Sequence, residues 1–116
     1  MIKIIEARPK IEKIFAYYYN GNKEELQEFL NIINKKLECS KLFIDKEDDA
    51  IMEYDKWSEC SFLCCFFHPK QYIYVEFGGL NIDLTSELKC DLIRCSSMFE
   101  EEFDDKYITE KEKWLE

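Results

Sequence analysis

Two adjacent thiols and the only histidine of the chain lie close together, at Cys64, Cys65 and His68. A thiol beside an imidazole could be the nucleophile of a small cysteine-dependent enzyme, because the imidazole accepts the thiol proton. Catalysis also requires a third group that orients the imidazole, and the sequence indicates none. We therefore prefer a structural interpretation in which His68 ends a strand before Pro69, and keep the cysteine enzyme as an alternative.

The chain has six cysteines, which raises the question of a zinc site. They lie at positions 39, 60, 64, 65, 90 and 95. The spacings Cys60-x3-Cys64 and Cys90-x4-Cys95 are wider than the Cys-x2-Cys pairs of zinc knuckles, although the second falls within the tolerated range. Both pairs lie in or beside predicted strands. We predict free thiols that behave as small apolar residues, with no metal ligand and no cofactor assigned.

Acidic side chains form two groups along the sequence. The first group comprises Glu47, Asp48, Asp49, Glu53 and Asp55. The second group comprises Glu100, Glu101, Glu102, Asp104 and Asp105. Neither group has the alternating ligands, central glycine and closing glutamate of a calcium loop. We assign no catalytic residue to them and treat both groups as candidate partner-binding surfaces.

The overall charge favours a protein partner. The chain has 25 acidic against 16 basic residues among 116, a formal net charge of −9. Such a surface repels nucleic acid and acidic membranes and attracts basic protein surfaces. Without a signal-peptide core or an apolar run long enough to span a bilayer, we expect a soluble protein of the host-cell cytoplasm. The length predicts a single domain over residues 1–116.

Helical periodicity occurs in two segments. One helix is predicted from about Lys23 to Leu37, with Asn22 as N-cap and Glu25 completing a capping box. Its buried stripe is Leu26, Phe29, Leu30, Ile33 and Leu37. A second helix is predicted after Ser97, with a capping box over residues 97–100. Its buried stripe is Phe99, Phe103 and Tyr107. Residues 109–116 would add a short turn or a frayed tail.

Strand patterns fill much of the remaining chain, at residues 11–19, 42–44, 50–57, 61–67 and 91–95, with a charged turn at residues 46–49. A β-hairpin is predicted for Tyr72–Phe77 and Leu80–Thr85 around Gly78-Gly79, since paired glycines adopt the positive φ angles of such turns. This register places Phe77 opposite Leu80, Val75 opposite Ile82, and Ile73 opposite Leu84.

The elements together predict an α+β domain. It contains a largely antiparallel sheet of about five strands, including the Gly-Gly hairpin, packed against one or two helices. The outer face of the hairpin carries Tyr72 and Tyr74, which suit an interface and make a homodimer compatible with the sequence.

Residues 12–30 resemble the start of a group of small phage and prophage proteins. These begin with an aromatic-rich strand, an aromatic-x-Gly-Asn turn and a helix ending in Phe-Leu, here Ile14–Tyr19, Tyr19–Asn22 and Phe29-Leu30. The strand and aromatic helix from Ile93 to Tyr107 are similar to their C-terminal part. The chain departs from that group at residues 69–73 and in its extra cysteines. The resemblance implies a phage accessory gene and transfers no functional residue.

These observations favour a small acidic protein that inhibits a host defence protein, such as a CRISPR nuclease or another nucleic-acid-binding nuclease, by occupying its basic surface. The same physics fits an immunity protein that neutralises a cognate toxin. The sequence is also compatible with a small cysteine-dependent enzyme and with a structural or dimerisation module.

Overall fold

A computed structural model describes residue 3, residues 14–78, residue 84 and residues 87–106 of the chain. The elements, in chain order, are β1 (Ile14–Tyr19), α1 (Lys23–Asn34), β2 (Ser40–Asp45), β3 (Ala50–Asp55), β4 (Cys60–Phe66), β5 (Gln71–Gly78), β6 (Asp91–Phe99) and α2 (Glu100–Lys106). The α+β class and the antiparallel pairing predicted from the sequence are confirmed. The strands form two sheets of three, in the orders β1-β5-β6 and β2-β3-β4.

β5 is the central strand of the first sheet. The predicted strand is confirmed, but the hairpin pairing is wrong, because β1 and β6 occupy both edges of β5. Val75 pairs with Phe15 on one side and with Cys95 on the other. β1 and β6 carry the same alternation of apolar residues as the segment Leu80–Thr85, which was predicted to pair with β5. The Gly-Gly turn between β5 and that segment therefore did not decide the pairing. Residues 79–83 and 85 lie outside the described residues.

Both faces of β5 are buried. Because successive side chains of a strand point to opposite faces, these side chains belong to two separate cores. On one face, Ile73, Val75 and Phe77 join the larger core beneath α1. On the other face, Tyr72 and Tyr74 form a smaller core with residues of β6 and α2. The suggestion that these two tyrosines form an exposed interface is therefore wrong, since both are more than nine-tenths buried.

α1 begins as predicted. The Asn22 side chain accepts hydrogen bonds from the backbone N–H groups of Glu24 (3.0 Å) and Glu25 (3.3 Å). The Asn22 N–H donates to the side chain of Asn20 (3.1 Å), which takes the acceptor role predicted for Glu25. The N-cap is therefore confirmed, whereas the capping box with Glu25 is wrong. All five predicted stripe residues are buried, although the helix ends at Asn34 instead of Leu37.

The end of α1 is fastened to the outer edge of β2 by one side-chain amide. The Asn34 Nδ2 donates to the carbonyl of Leu42 (2.9 Å), and its Oδ1 accepts from the N–H of Leu42 (2.7 Å). The Asn34 side chain thus provides hydrogen-bond partners for the backbone N–H and carbonyl of Leu42, as a neighbouring strand would. Beyond the helix, Leu37 forms a bridge with Cys90, which links the chain after α1 to the segment before β6.

α2 begins at Glu100, two residues later than the helix predicted to follow Ser97. Ser97 lies in β6, and its hydroxyl donates to the carbonyl of Phe66 in β4 (2.9 Å), so the box is wrong. Phe99 ends the strand with 59% of its surface exposed, whereas Phe103 is only 2% exposed. Tyr107, residues 109–116 and residues 11–13 lie outside the described residues. Of the described helices, none is long and apolar enough to cross a bilayer.

Replacing Phe103 by alanine should cost about 3–5 kcal/mol of unfolding free energy, because its ring stacks on Tyr72 with centroids 4.2 Å apart. Phe99→Ala is the matched control, since the exposed ring should matter by only about 0.5 kcal/mol. Urea unfolding followed by circular dichroism measures both. Equal losses in the two variants would contradict the assignment of Phe103 to a core.

Candidate functional site

α2 presents the more continuous of the two predicted acidic surfaces. Every acidic residue of the second group is exposed on this helix. The only apolar residue of α2, Phe103, is buried against Tyr72 and also contacts Tyr74. The helix therefore turns one apolar side chain inward and five carboxylates outward on a fixed support.

The first acidic group does not form one surface. Glu47, Asp48 and Asp49 are exposed in the turn between β2 and β3, while Asp55 lies at the opposite end of β3. A six-residue strand separates the two ends by about 17 Å. The sequence placed these residues together because they are close in the chain, and the extended strand carries them apart.

Asp49 is committed to the fold. It adopts a left-handed φ of 47°, and its carboxylate pairs with the Lys23 ammonium at 2.6 Å, which ties the turn to the start of α1. Its carbonyl also accepts a hydrogen bond from the N–H of Phe67 (2.9 Å). Glu47 and Asp48 are the members of the first group that stay available in this turn.

Asp55 closes the turn between β3 and β4. Its carboxylate accepts hydrogen bonds from the N–H of Trp57 (2.9 Å) and from the hydroxyl of Ser58 (3.2 Å). The indole that follows is 83% exposed. Trp57 is an exposed aromatic of the kind that anchors protein interfaces. The sequence analysis missed it, because the residue was assigned to the end of a strand.

Glu53 lies half-buried on β3, opposite the buried Leu42. Burial raises the pKa of its carboxyl group, the Ser40 hydroxyl opposes this by hydrogen bonding to the carboxylate, and the nearby charge of Asp55 raises the pKa further. Ionisation of Glu53 therefore opposes folding, and a half-buried carboxylate held at such a cost is typical of functional sites as well as of structural ones.

Three thiols meet where the two sheets adjoin. β4 and β6 lie side by side, and Cys64 and Cys65 of β4 pack against the core that contains the buried Cys95 of β6. Interaction of the single Cys95 S–H with the sulfurs of Cys64 and Cys65, together with burial, raises the pKa of Cys95 well above the usual value. The hydrogen bond from Cys95, helped by Ser97 and opposed by burial, lowers the pKa of Cys65. The sequence analysis missed this cluster, since nothing in the spacing shows that β4 and β6 are neighbours.

His68 has no part in the thiol cluster. Its backbone N–H donates to the side chain of Gln71 (3.0 Å), and the residue is exposed at the end of β4. The groups that set the pKa of Cys65 are Cys95 and Ser97, without the imidazole. The described residues thus do not assemble the thiol–imidazole pair considered from the sequence.

Of the four cysteines considered as zinc ligands, Cys64 and Cys95 lie in the thiol cluster, whereas Cys60 and Cys90 lie apart from it. Cys90 lies beside Lys36, whose carbonyl accepts from its thiol (3.4 Å), and Cys60 is exposed and hydrogen-bonded to the carbonyl of Ser58 (3.4 Å). Among the described residues, no three histidine, cysteine or acidic side chains form a group that could hold a metal ion.

A shallow depression of about 460 Å³ lies between the start of α1 and the end of β2. It is lined by Lys23, Glu24, Gln27, Ile44 and Lys46. Two ammonium groups and one carboxylate face it, without a thiol or an imidazole, so the cysteine chemistry considered above is not located there.

Comparisons of the chain with protein-family models, with curated proteins and with solved structures gave no match. The resemblance to phage and prophage proteins stays a prediction.

Glu53→Gln should stabilise the protein at neutral pH. The raised pKa means that the folded state favours the protonated carboxyl, so the cost of ionisation exists above the folded pKa and disappears below the unfolded value of about 4.3. Thermal unfolding at neutral and acidic pH measures the difference, with Glu47→Gln in the exposed turn as control. A gain of equal size at both pH values would exclude ionisation as the cause.

Cys95→Ala should raise the pKa of Cys65, because the thiolate loses the hydrogen bond that stabilises it. The pH profile of iodoacetamide alkylation at Cys65, resolved by peptide mass spectrometry, should shift to higher pH. Cys90→Ala removes a thiol outside the cluster and should leave the profile in place. An unchanged profile in Cys95→Ala would contradict the hydrogen bond between the two thiols.

Proposed function

We propose that this protein is a small acidic inhibitor, encoded by a phage or another mobile element, that binds the basic surface of a host defence protein. The target class is a nucleic-acid-binding nuclease, such as a CRISPR effector. The observation that carries the proposal is the outward array of five carboxylates on α2, held in place by the buried Phe103.

Electrostatics explain why such an array suits such a target. Proteins that bind nucleic acid expose basic grooves that accept rows of phosphates. A compact body of net charge −9 with carboxylates along one helix would compete for such a groove and would associate rapidly by electrostatic steering. Glu47 and Asp48 in the β2–β3 turn provide a second exposed acidic site.

The fixed position of α2 favours binding in addition to its charge. The ring of Phe103 stacks on Tyr72 at an interplanar angle of 18°, and Tyr72 in turn belongs to the central strand β5. A fixed helix loses less conformational entropy on binding than a disordered acidic tail would lose. The exposed Trp57, in a turn closed by Asp55, could add an aromatic contact to a charged interface.

Capture from host lysate tests the proposal. Tagged protein should retain a stoichiometric partner at low salt and release it at high salt, because exposed charge pairs are screened. A nucleic-acid-binding defence protein supports the inhibitor. A toxin encoded beside the gene would instead support the immunity protein. Recovery of the tagged protein alone would contradict both.

Reversing charges on α2 should slow association with the captured partner by about tenfold or more. The variant combines Glu100→Lys, Glu101→Lys and Asp105→Lys, and surface plasmon resonance at low salt measures its association rate. The matched control makes the same change in net charge elsewhere, with Glu28→Lys, Glu38→Lys and Glu87→Lys. Equal effects of the two variants would mean that net charge matters and that α2 is not the contact.

A further inference from the structure

The outer face of the second sheet belongs to neither core. Alternate residues of its strands point toward the larger core, among them Leu42, Ile44 and Ile51. The intervening apolar residues point the other way, and neither core includes them. They are Phe43, Met52, Tyr54, Leu63 and Phe66. We refer to this surface as the outer face.

No described helix covers the outer face. α1 contacts β1 and β2 from the core side, and α2 contacts β5 and β6 of the other sheet. Leu63 is 52% exposed and Phe66 is 51% exposed. Exposed apolar residues that adjoin on one sheet face are a common mark of a protein interface.

The charges on the outer face cancel. Its charged residues are Lys41 and Asp45, which lie on β2 on either side of Phe43. The chain as a whole has a net charge of −9, so most other surfaces would repel a second copy. A neutral, apolar face on a strongly acidic protein is where two identical copies can approach.

We infer that two copies of this chain associate through the outer face, sheet against sheet, with the stacked strands antiparallel. In this arrangement a two-fold axis lies between the two sheets and runs perpendicular to the strands. It places one row of residues, at the middle of the three strands, on the same row of the partner copy. That row consists of Phe43, Met52 and Leu63, which are register partners across the three strands. The centre of the interface would be entirely apolar.

The residues on either side of this row are complementary under the same rotation. Lys41 of one copy would lie over Asp45 of the other, so the dimer would contain two such pairs of opposite charge. With parallel stacking, β2 would instead lie over β4, which carries no charged residue. Charge complementarity therefore selects the antiparallel arrangement.

Side-chain size follows the same pattern. Register partners of Lys41 are Tyr54 and then Ser61, and register partners of Asp45 are Ala50 and then Phe66. The rotation therefore places the large, half-exposed Phe66 of one copy over the small, exposed Ser61 of the other. Large-over-small pairing is what interdigitated sheet packing requires.

Sedimentation velocity over a concentration series tests this inference. The wild type should form a dimer as its concentration rises, and Leu63→Lys should raise the dimer dissociation constant at least about tenfold, because two like charges would meet at the axis. Phe62→Lys is the matched control, since Phe62 is 50% exposed on the same strand but on the opposite face. Circular dichroism verifies that both variants fold.

Charge exchange tests the orientation independently of Leu63. Lys41→Asp alone and Asp45→Lys alone should each weaken the dimer, and the double variant should recover it. A wild type that stays monomeric, equal weakening by Leu63→Lys and Phe62→Lys, or a double variant that recovers nothing would each overturn the inference.

Salt separates this dimer from the acidic interface proposed above. Raising the salt concentration from about 50 mM to about 500 mM should strengthen the dimer, because screening the repulsion between two bodies of net charge −9 outweighs the weakening of the two exposed Lys41–Asp45 pairs. The same change should weaken binding to a basic partner. A dimer that dissociates as salt rises would overturn the apolar outer face as its basis.

Discussion

The rest of the structure depends on the burial of β5 from every direction. Its two edges are paired with β1 and β6, and its two faces lie in separate cores. A strand placed in this way must carry apolar side chains at consecutive positions, and Tyr72–Val75 satisfies that requirement. The need to cover both faces of one strand brings α1 to one side and α2 to the other.

The acidic surface of α2 is a product of the same requirement. The helix is only seven residues long, too short to be stable in isolation, and its attachment is the ring of Phe103 on Tyr72. Carboxylates crowded on a short helix repel one another, so the apolar contact must outweigh that repulsion. The stability of the smaller core and the presentation of charge are thus linked through a single side chain.

Local features were predictable from the sequence, and long-range ones were not. Asn22 and the stripe from Leu26 to Ile33 follow from capping and periodicity within one helix, where every determinant lies a few residues away. The pairing of β5 with β1 depends on residues more than fifty positions earlier, and a Gly-Gly pair nearby offered an equally good local solution.

The candidate site shows the same difference between local features, which were predictable, and long-range features, which were not. The carboxylates of α2 were recognised because a helix keeps sequence neighbours together. Those of the first group were misjudged because a strand separates them and because Asp49 and Asp55 serve turns. The contact of Cys65 with Cys95 depends on how two sheets adjoin, which no spacing rule reports. Ser97 likewise serves that junction and not the start of α2.

The amide of Asn34 has a consequence for how large an assembly can grow. β2 is an edge strand of its sheet, and an open edge can accept further strands without limit. Asn34 occupies both backbone groups of Leu42 that point away from β3, in the middle of that edge. A chain added there would lack its central hydrogen bonds, so this edge resists fibre-like extension. The two-fold contact inferred for the sheet face closes at two copies, so it does not use this edge.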